Sequence, residues 1–174
     1  GLELEPLSAS LNEDVASAYY LARQYDQAIE QVQKTREIEP NRPGAHIALG
    51  NIYDLKGMYE ESIAEYQKAI RSSERTSTIL GLLGHVYAVS GKRSEAVKIL
   101  NEMQEMSKQK YVSSYDLSIL YTGLGEKDKA LEQLNYAYEE REGWIIYLRV
   151  EPLFDPLRSD PQFKNLLKRM NLPE

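Results

Sequence analysis

The sequence predicts an all-α fold: four helix–turn–helix repeats followed by a non-repeat helical cap. Three observations carry this reading. Tyr19, Tyr53, Tyr87 and Tyr121 recur at a spacing of 34 in a chain that has 13 tyrosines. The apolar residues around each of them fall at helical spacings of three and four. Gly57, Gly91 and Gly125 follow in their own column, with Arg23 as the exception, at the point where a left-handed residue would close a helix.

The other columns keep the same register. Val15, Leu49, Leu83 and Leu117 form one, Ala28, Ser62, Ala96 and Ala130 a second, and Ile29, Ile63, Val97 and Leu131 a third. In the second unit Ile47, Leu49, Ile52, Tyr53 and Leu55 make one helical stripe, and Ile63, Tyr66, Ala69 and Ile70 make another. Ala16, Gly50, Gly84, Ala28, Ala96 and Ala130 are small where two helices would cross closely. First helices are predicted near 10–22, 44–56, 78–90 and 112–124, and second helices near 26–39, 60–73, 94–108 and 128–141. The repeats are therefore 9–42, 43–76, 77–110 and 111–143. The opening stretch, 1–8, contains LELEP, which aligns with REIEP at Arg36–Pro40. It reads as the end of an earlier repeat in a chain cut from a longer polypeptide, or as a natural N-terminal stub.

After residue 143 the period breaks. Segment 144–174 contains Pro152, Pro156, Pro161 and Pro173, which interrupt long helices. Asp160 followed by Pro161 signals a helix start, and Phe163, Leu166, Leu167 and Met170 share one face of the helix that follows. A stacked array leaves its last helix with an uncovered apolar flank. Trp144, Leu148, Leu153, Phe154 and Leu157 have the bulk to cover it.

Composition narrows the function classes. The net charge of −6 opposes nucleic acid as the partner of this segment, because phosphate binding needs a basic surface. The absence of cysteine excludes disulfides and thiolate chemistry. No stretch is long and apolar enough for membrane insertion. A cytoplasmic location is favoured, with a periplasmic or extracellular one behind an upstream membrane span left open. No zinc-binding, phosphate-loop or serine-hydrolase motif occurs, so an enzyme is not expected, and no catalytic residue, cofactor or metal site is assigned. The two histidines, His46 and His85, lie in different columns and should not converge.

The second unit contains His46-x2-Leu49-Gly50-x2-Tyr53 and then Ser62-x3-Tyr66. The third contains Leu80-x2-Leu83-Gly84-x2-Tyr87 and then Ala96-x3-Leu100. These patterns resemble the tetratricopeptide repeat, although no repeat carries its tryptophan and a closing proline survives only at Pro6 and Pro40. The resemblance implies a right-handed superhelix whose concave groove is lined by first helices. On that geometry the groove residues are Glu13, Ser17, Tyr20, Ile47, Asn51, Asp54, Thr78, His85, Val112, Tyr115 and Ile119. His46 stands in the tryptophan column, where packing is its expected role. Asn51 is the only polar match to the subclass that clamps a C-terminal carboxylate, and Glu13 replaces a clamp lysine, so that mode is disfavoured. Asn51 is the residue expected to hydrogen-bond a ligand backbone and Tyr115 the expected apolar anchor.

The tail GWIIYLRVEPLFDPLRSDPQFKNLLKRMNLP resembles the end of repeat regions found C-terminally in bacterial multidomain signalling proteins with winged-helix activator or Ser/Thr kinase domains upstream. Two functions are thereby implied. One is a protein-interaction module that binds a peptide or partner domain, with basic residues beside apolar ones, in its groove. The other is a self-association module that sets the oligomeric state of a larger regulator as a homo-oligomer.

Overall fold

The computed structural model describes residues 8–172. The reading of 1–8 as the end of an earlier repeat lies outside these residues except at Ser8, which caps the first helix. Among the described residues all regular structure is helical. The chain forms two compact units, divided between Glu74 and Arg75.

The first unit holds α1 (Ala9–Leu21), α2 (Tyr25–Ile38), α3 (Pro43–Leu55) and α4 (Tyr59–Ser72). Each boundary falls within a residue or two of its predicted place. Start signals are local: the Ser8 hydroxyl accepts from Leu11 N at 3.3 Å, and Pro43 opens α3. Stop signals repeat with the period. The carbonyls of Tyr19 and Tyr53 accept from the amides five residues on, Gln24 and Met58, both at 2.8 Å. Between them Arg23 and Gly57 adopt left-handed φ of 61° and 72°. This is a six-to-one helix closure. Helices α1 and α2 pair, α3 and α4 pair, and α3 packs on both members of the first pair. Ala16, Tyr20, Ala28, Val32, Ala45, Leu49 and Ile52 form the core. Gly50 admits the Tyr66 ring: a Cβ there would lie 2.5 Å from it.

The second unit holds α5 (Ser77–Val89), α6 (Arg93–Ser107), α7 (Ser114–Leu124) and α8 (Lys127–Glu139). Two 3₁₀ segments follow, Gly143–Tyr147 and Pro152–Leu157, and then α9 (Pro161–Arg169). Helix closures recur where the amides of Lys92 and Glu126 donate to the carbonyls of Tyr87 and Tyr121, with Gly91 and Gly125 at φ of 82° and 74°. Helix α7 lies close on α5 because glycines line the crossing. A Cβ at Gly81 would lie 2.6 Å from the Asp116 carbonyl oxygen, and one at Gly123 would lie 2.9 Å from the His85 backbone.

The tail caps the array as expected in most of its residues. Phe154, Phe163, Leu148, Leu153, Leu157, Leu166 and Leu167 are buried. The Asp160 carboxylate accepts from Gln162 N at 2.8 Å and starts α9. Arg169 ties α9 to α8 by donating to Asn135 Oδ1 at 2.6 Å and lying 5.0 Å from the Tyr138 ring centre. Three details differ from the sequence reading. Trp144 is 59% exposed and caps nothing. Val97 points to solvent although its column is otherwise apolar. Tyr19, Tyr53 and Tyr87 are only half-buried, and their backbone carbonyls accept the repeated helix-closing bonds.

Candidate functional site

In the first unit one small cavity takes in part of the expected groove. It measures about 30 Å³ and is lined by Ala16, Ser17 and Tyr20 of α1 and by Ala48, Asn51 and Ile52 of α3. Three of these six, Ser17, Tyr20 and Asn51, are residues the sequence assigned to a ligand. Helical spacing puts them there, since residues three and four apart share a face. Ser17 is exposed, Asn51 half-buried and Tyr20 buried.

Asn51 is held in one orientation. The Tyr66 hydroxyl reaches across from α4 and donates to Asn51 Oδ1 at 2.7 Å. The side-chain carbonyl is thereby occupied, and the Nδ2 donors have no partner among the described residues. Sequence reading chose Asn51 but missed Tyr66 as its support. The signal was available, because Tyr66 stands in the second-helix position that faces the small Gly50.

The expected acidic end of the groove is partly neutralised. Arg42, in the loop before α3, donates to Glu13 Oε1 at 2.8 Å, Glu39 Oε2 at 2.9 Å and Ser10 Oγ at 3.0 Å. Asp54 is buried and Ile47 half-buried. Asp14 stays exposed beside this face.

The second unit departs further from expectation. Tyr115 is buried and meets Phe154 edge-on, with ring centres 5.4 Å apart, so it is a core residue covered by the cap. Val112 and Ile119 are buried as well. His85 is buried where α5 crosses Gly123 of α7. Thr78 donates to Asp116 Oδ2 at 3.1 Å, and Ser77 donates to the same oxygen at 2.7 Å. Burial pushes the Asp116 carboxyl up to about 6; the two hydroxyl donors oppose that rise and the nearby Glu142 carboxylate adds to it. None of these five residues offers a free side chain for a ligand in the way the sequence suggested.

His46 is packed, as expected of its column, but through a polar contact. Its Nδ1 lies 2.6 Å from Glu65 Oε2, and Lys68 Nζ lies 2.5 Å from Glu65 Oε1. Burial pushes the Glu65 carboxyl up, but the bonds from Lys68 and His46 outweigh it and leave the group below its ordinary range. His46 belongs to the first unit and His85 to the second, each within its own helix packing. Among the described residues no group of three His, Asp or Glu side chains could hold a metal ion, and no helix is long and apolar enough to cross a membrane.

Residues 43–76, the whole second repeat, match the tetratricopeptide repeat model. The second repeat is thus similar to the tetratricopeptide repeat. Three solved structures of similar fold extend the likeness beyond that repeat. YrrB, described as a tetratricopeptide-repeat protein with an unusual peptide-binding site, aligns over 93% of this chain and 84% of its own at 18% identity and a TM-score of 0.53. PilF of Pseudomonas aeruginosa aligns over 92% of this chain and 73% of its own at 19% identity and a TM-score of 0.57. A tetratricopeptide-repeat protein of Parabacteroides merdae aligns over 98% and 67% at 13% identity and a TM-score of 0.55. At such identities the likeness is one of fold. Comparison with curated protein sequences gives no significant match.

Proposed function

We propose that this chain is a tetratricopeptide-repeat protein-interaction module, and that the α1–α3 face of its first unit binds an extended peptide segment. The observation that carries this is Asn51. Its amide oxygen is fixed by Tyr66, so its NH₂ group is presented at the cavity as a preorganised donor. A ligand carbonyl can take that donor without any rearrangement of the protein, which lowers the ordering cost of binding. Tyr20, Ala48 and Ile52 supply apolar wall, and a cavity of about 30 Å³ takes a group no larger than a methyl or a carbonyl. The exposed Asp14 favours a basic residue in the ligand nearby, whereas Glu13 is engaged by Arg42 and adds little. The peptide-binding site named for YrrB supports the same class of ligand. Placement within a larger bacterial signalling protein follows from the sequence resemblance of the tail.

The test is a peptide-array screen followed by calorimetry with the best segment. Asn51→Ala should weaken binding about tenfold, or roughly 1.4 kcal/mol. Ser17→Trp should abolish binding by filling the face. If both variants bind like the parent, the α1–α3 face is not the site.

A further inference from the structure

The cavity between α1 and α3 has walls that resist expansion. Ala16, Tyr20 and Ile52 belong to the hydrophobic core of the first unit. The Tyr20 ring lies against Tyr25, with centres 6.4 Å apart. Asn51 is held by the Tyr66 hydroxyl. Ser17 is exposed and Ala48 half-buried, so the mouth of the cavity lies on their side. Because a close-packed core gives little under load, the cavity keeps its volume of about 30 Å³ when a group enters it.

The walls also differ in chemistry. Asn51 presents an amide NH₂, whereas Ala16, Ala48 and Ile52 present only hydrocarbon side chains. An extended segment offers two small groups close together, the backbone carbonyl of a residue and the Cβ of the same residue. The carbonyl belongs at the Asn51 amide. A polar group against the apolar remainder would give up water for no partner, so the group that enters there is the side chain. A single methyl fits the volume, and a longer or branched side chain does not.

We infer that this cavity is a specificity pocket for one alanine of the bound segment, with Ala48, Ile52 and Tyr20 setting the size limit. The inference rests on the α1–α3 face being the binding face. Glycine leaves the pocket empty and forgoes the burial of one methyl, about fourfold in affinity. Larger residues must push Ile52 or Tyr20 out of a packed core, and overpacking is destabilising. In the second unit the expected groove residues Val112, Tyr115 and Ile119 are themselves buried and line no such pocket.

The probe is the peptide Ac-Lys-Thr-Thr-X-Thr-Thr-amide, with glycine, alanine, α-aminobutyrate, valine or leucine at X. Threonine favours an extended backbone and is branched at Cβ, so X alone can fill the pocket and it fixes the register. The lysine suits the exposed Asp14. Binding to the full chain is followed by NMR at the backbone amides of Ser17, Ala48 and Ile52. The alanine peptide should bind about fourfold tighter than the glycine peptide and roughly tenfold tighter than the valine or leucine peptide. Ala48→Val fills the pocket and should remove the advantage of alanine over glycine. Ala48→Gly enlarges it and should give the α-aminobutyrate peptide the affinity that alanine has in the parent. Asn51→Ala should weaken every peptide of the series, and circular dichroism should show each variant folded. Equal affinity across the series, with Asn51→Ala still weakening all of it, overturns the pocket and leaves the face standing. Affinities that Asn51→Ala does not move overturn the face and the pocket with it. An alanine preference that survives Ala48→Val, or an alanine peptide that does not bind at millimolar concentration, also overturns the inference.

Discussion

His46 lies 34 residues after Asn12, and both bury a polar side chain against the same position of the following helix. His46 Nδ1 is 2.6 Å from Glu65, and Asn12 Oδ1 accepts from Gln31 Nε2. Gln31 and Glu65 are themselves 34 apart, so the first unit repeats a buried polar pair. One repeat further on the same two positions are Leu80 and Ile99, both buried. The fold therefore accepts either chemistry at this contact.

That exchange predicts an asymmetry in mutation. Glu65→Ala leaves His46 and Lys68 without their acceptor and should cost about 3 kcal/mol, as expected when one partner of a buried pair is removed. His46→Leu/Glu65→Ile, which copies the third repeat, should be neutral or stabilising. Urea denaturation of both variants checks this, and a double variant less stable than Glu65→Ala would contradict the argument.

Arg23 occupies the column that Gly57, Gly91 and Gly125 fill, with φ of 61°. A residue with a Cβ is strained in this region, by about 1–2 kcal/mol. Arg23→Gly should raise stability by about 1 kcal/mol, since glycine adds some entropy cost of its own. The same substitution moved to Ala22, at φ of −78°, should give no gain.

The repeat was legible because it rests on local rules. Helix boundaries followed from the glycine column and the caps, and the cap helix followed from Asp160, Pro161 and the spacing of Phe163, Leu166 and Leu167. Of the residues the sequence assigned to a ligand, only Ser17, Tyr20 and Asn51 of the first unit come together around one cavity, on helices whose order is set by the period. In the second unit Tyr115 and Ile119 sit in groove columns, yet they are buried. Tyr115 meets Phe154, which returns from outside the repeat, and Gly81 and Gly123 let α7 close on α5. Neither contact has a sequence period. Trp144 misled for a related reason: its bulk suits a cap, but the 3₁₀ segment turns Ile145 and Leu148 inward instead.

Asp116 predicts a pH dependence for the second unit. Its carboxyl, raised by burial to about 6, holds its proton more tightly in the folded chain than in the unfolded one. Its contribution to stability is therefore complete below about pH 4 and is lost as pH rises through 6. Asp116→Asn keeps an acceptor for Ser77 and Thr78 without the charge. It should stabilise the protein by roughly 1–3 kcal/mol at pH 7.5 and by almost nothing at pH 4. Thermal unfolding at the two pH values measures this directly, and a gain confined to pH 4 would reverse the sign.

The edge-on contact of Tyr115 with Phe154 makes the tail part of the second unit's core. Phe154 is fully buried and Tyr115 nearly so, and both ring faces lose their packing if either is removed. Phe154→Ala and Tyr115→Ala should each cost about 3–5 kcal/mol, the usual range for a large buried aromatic. Because they share one contact, the double variant should cost less than the sum by roughly 0.5–1.5 kcal/mol. Additive losses would mean that the two rings are stabilised by separate surroundings. Truncation after Gly143 removes Phe154, Leu157, Phe163 and Leu166 together and uncovers Tyr115, Val112 and Ile119. That chain should melt earlier than Phe154→Ala and bind a hydrophobic dye, whereas a truncated chain as stable as the parent would show that the repeats close their own core.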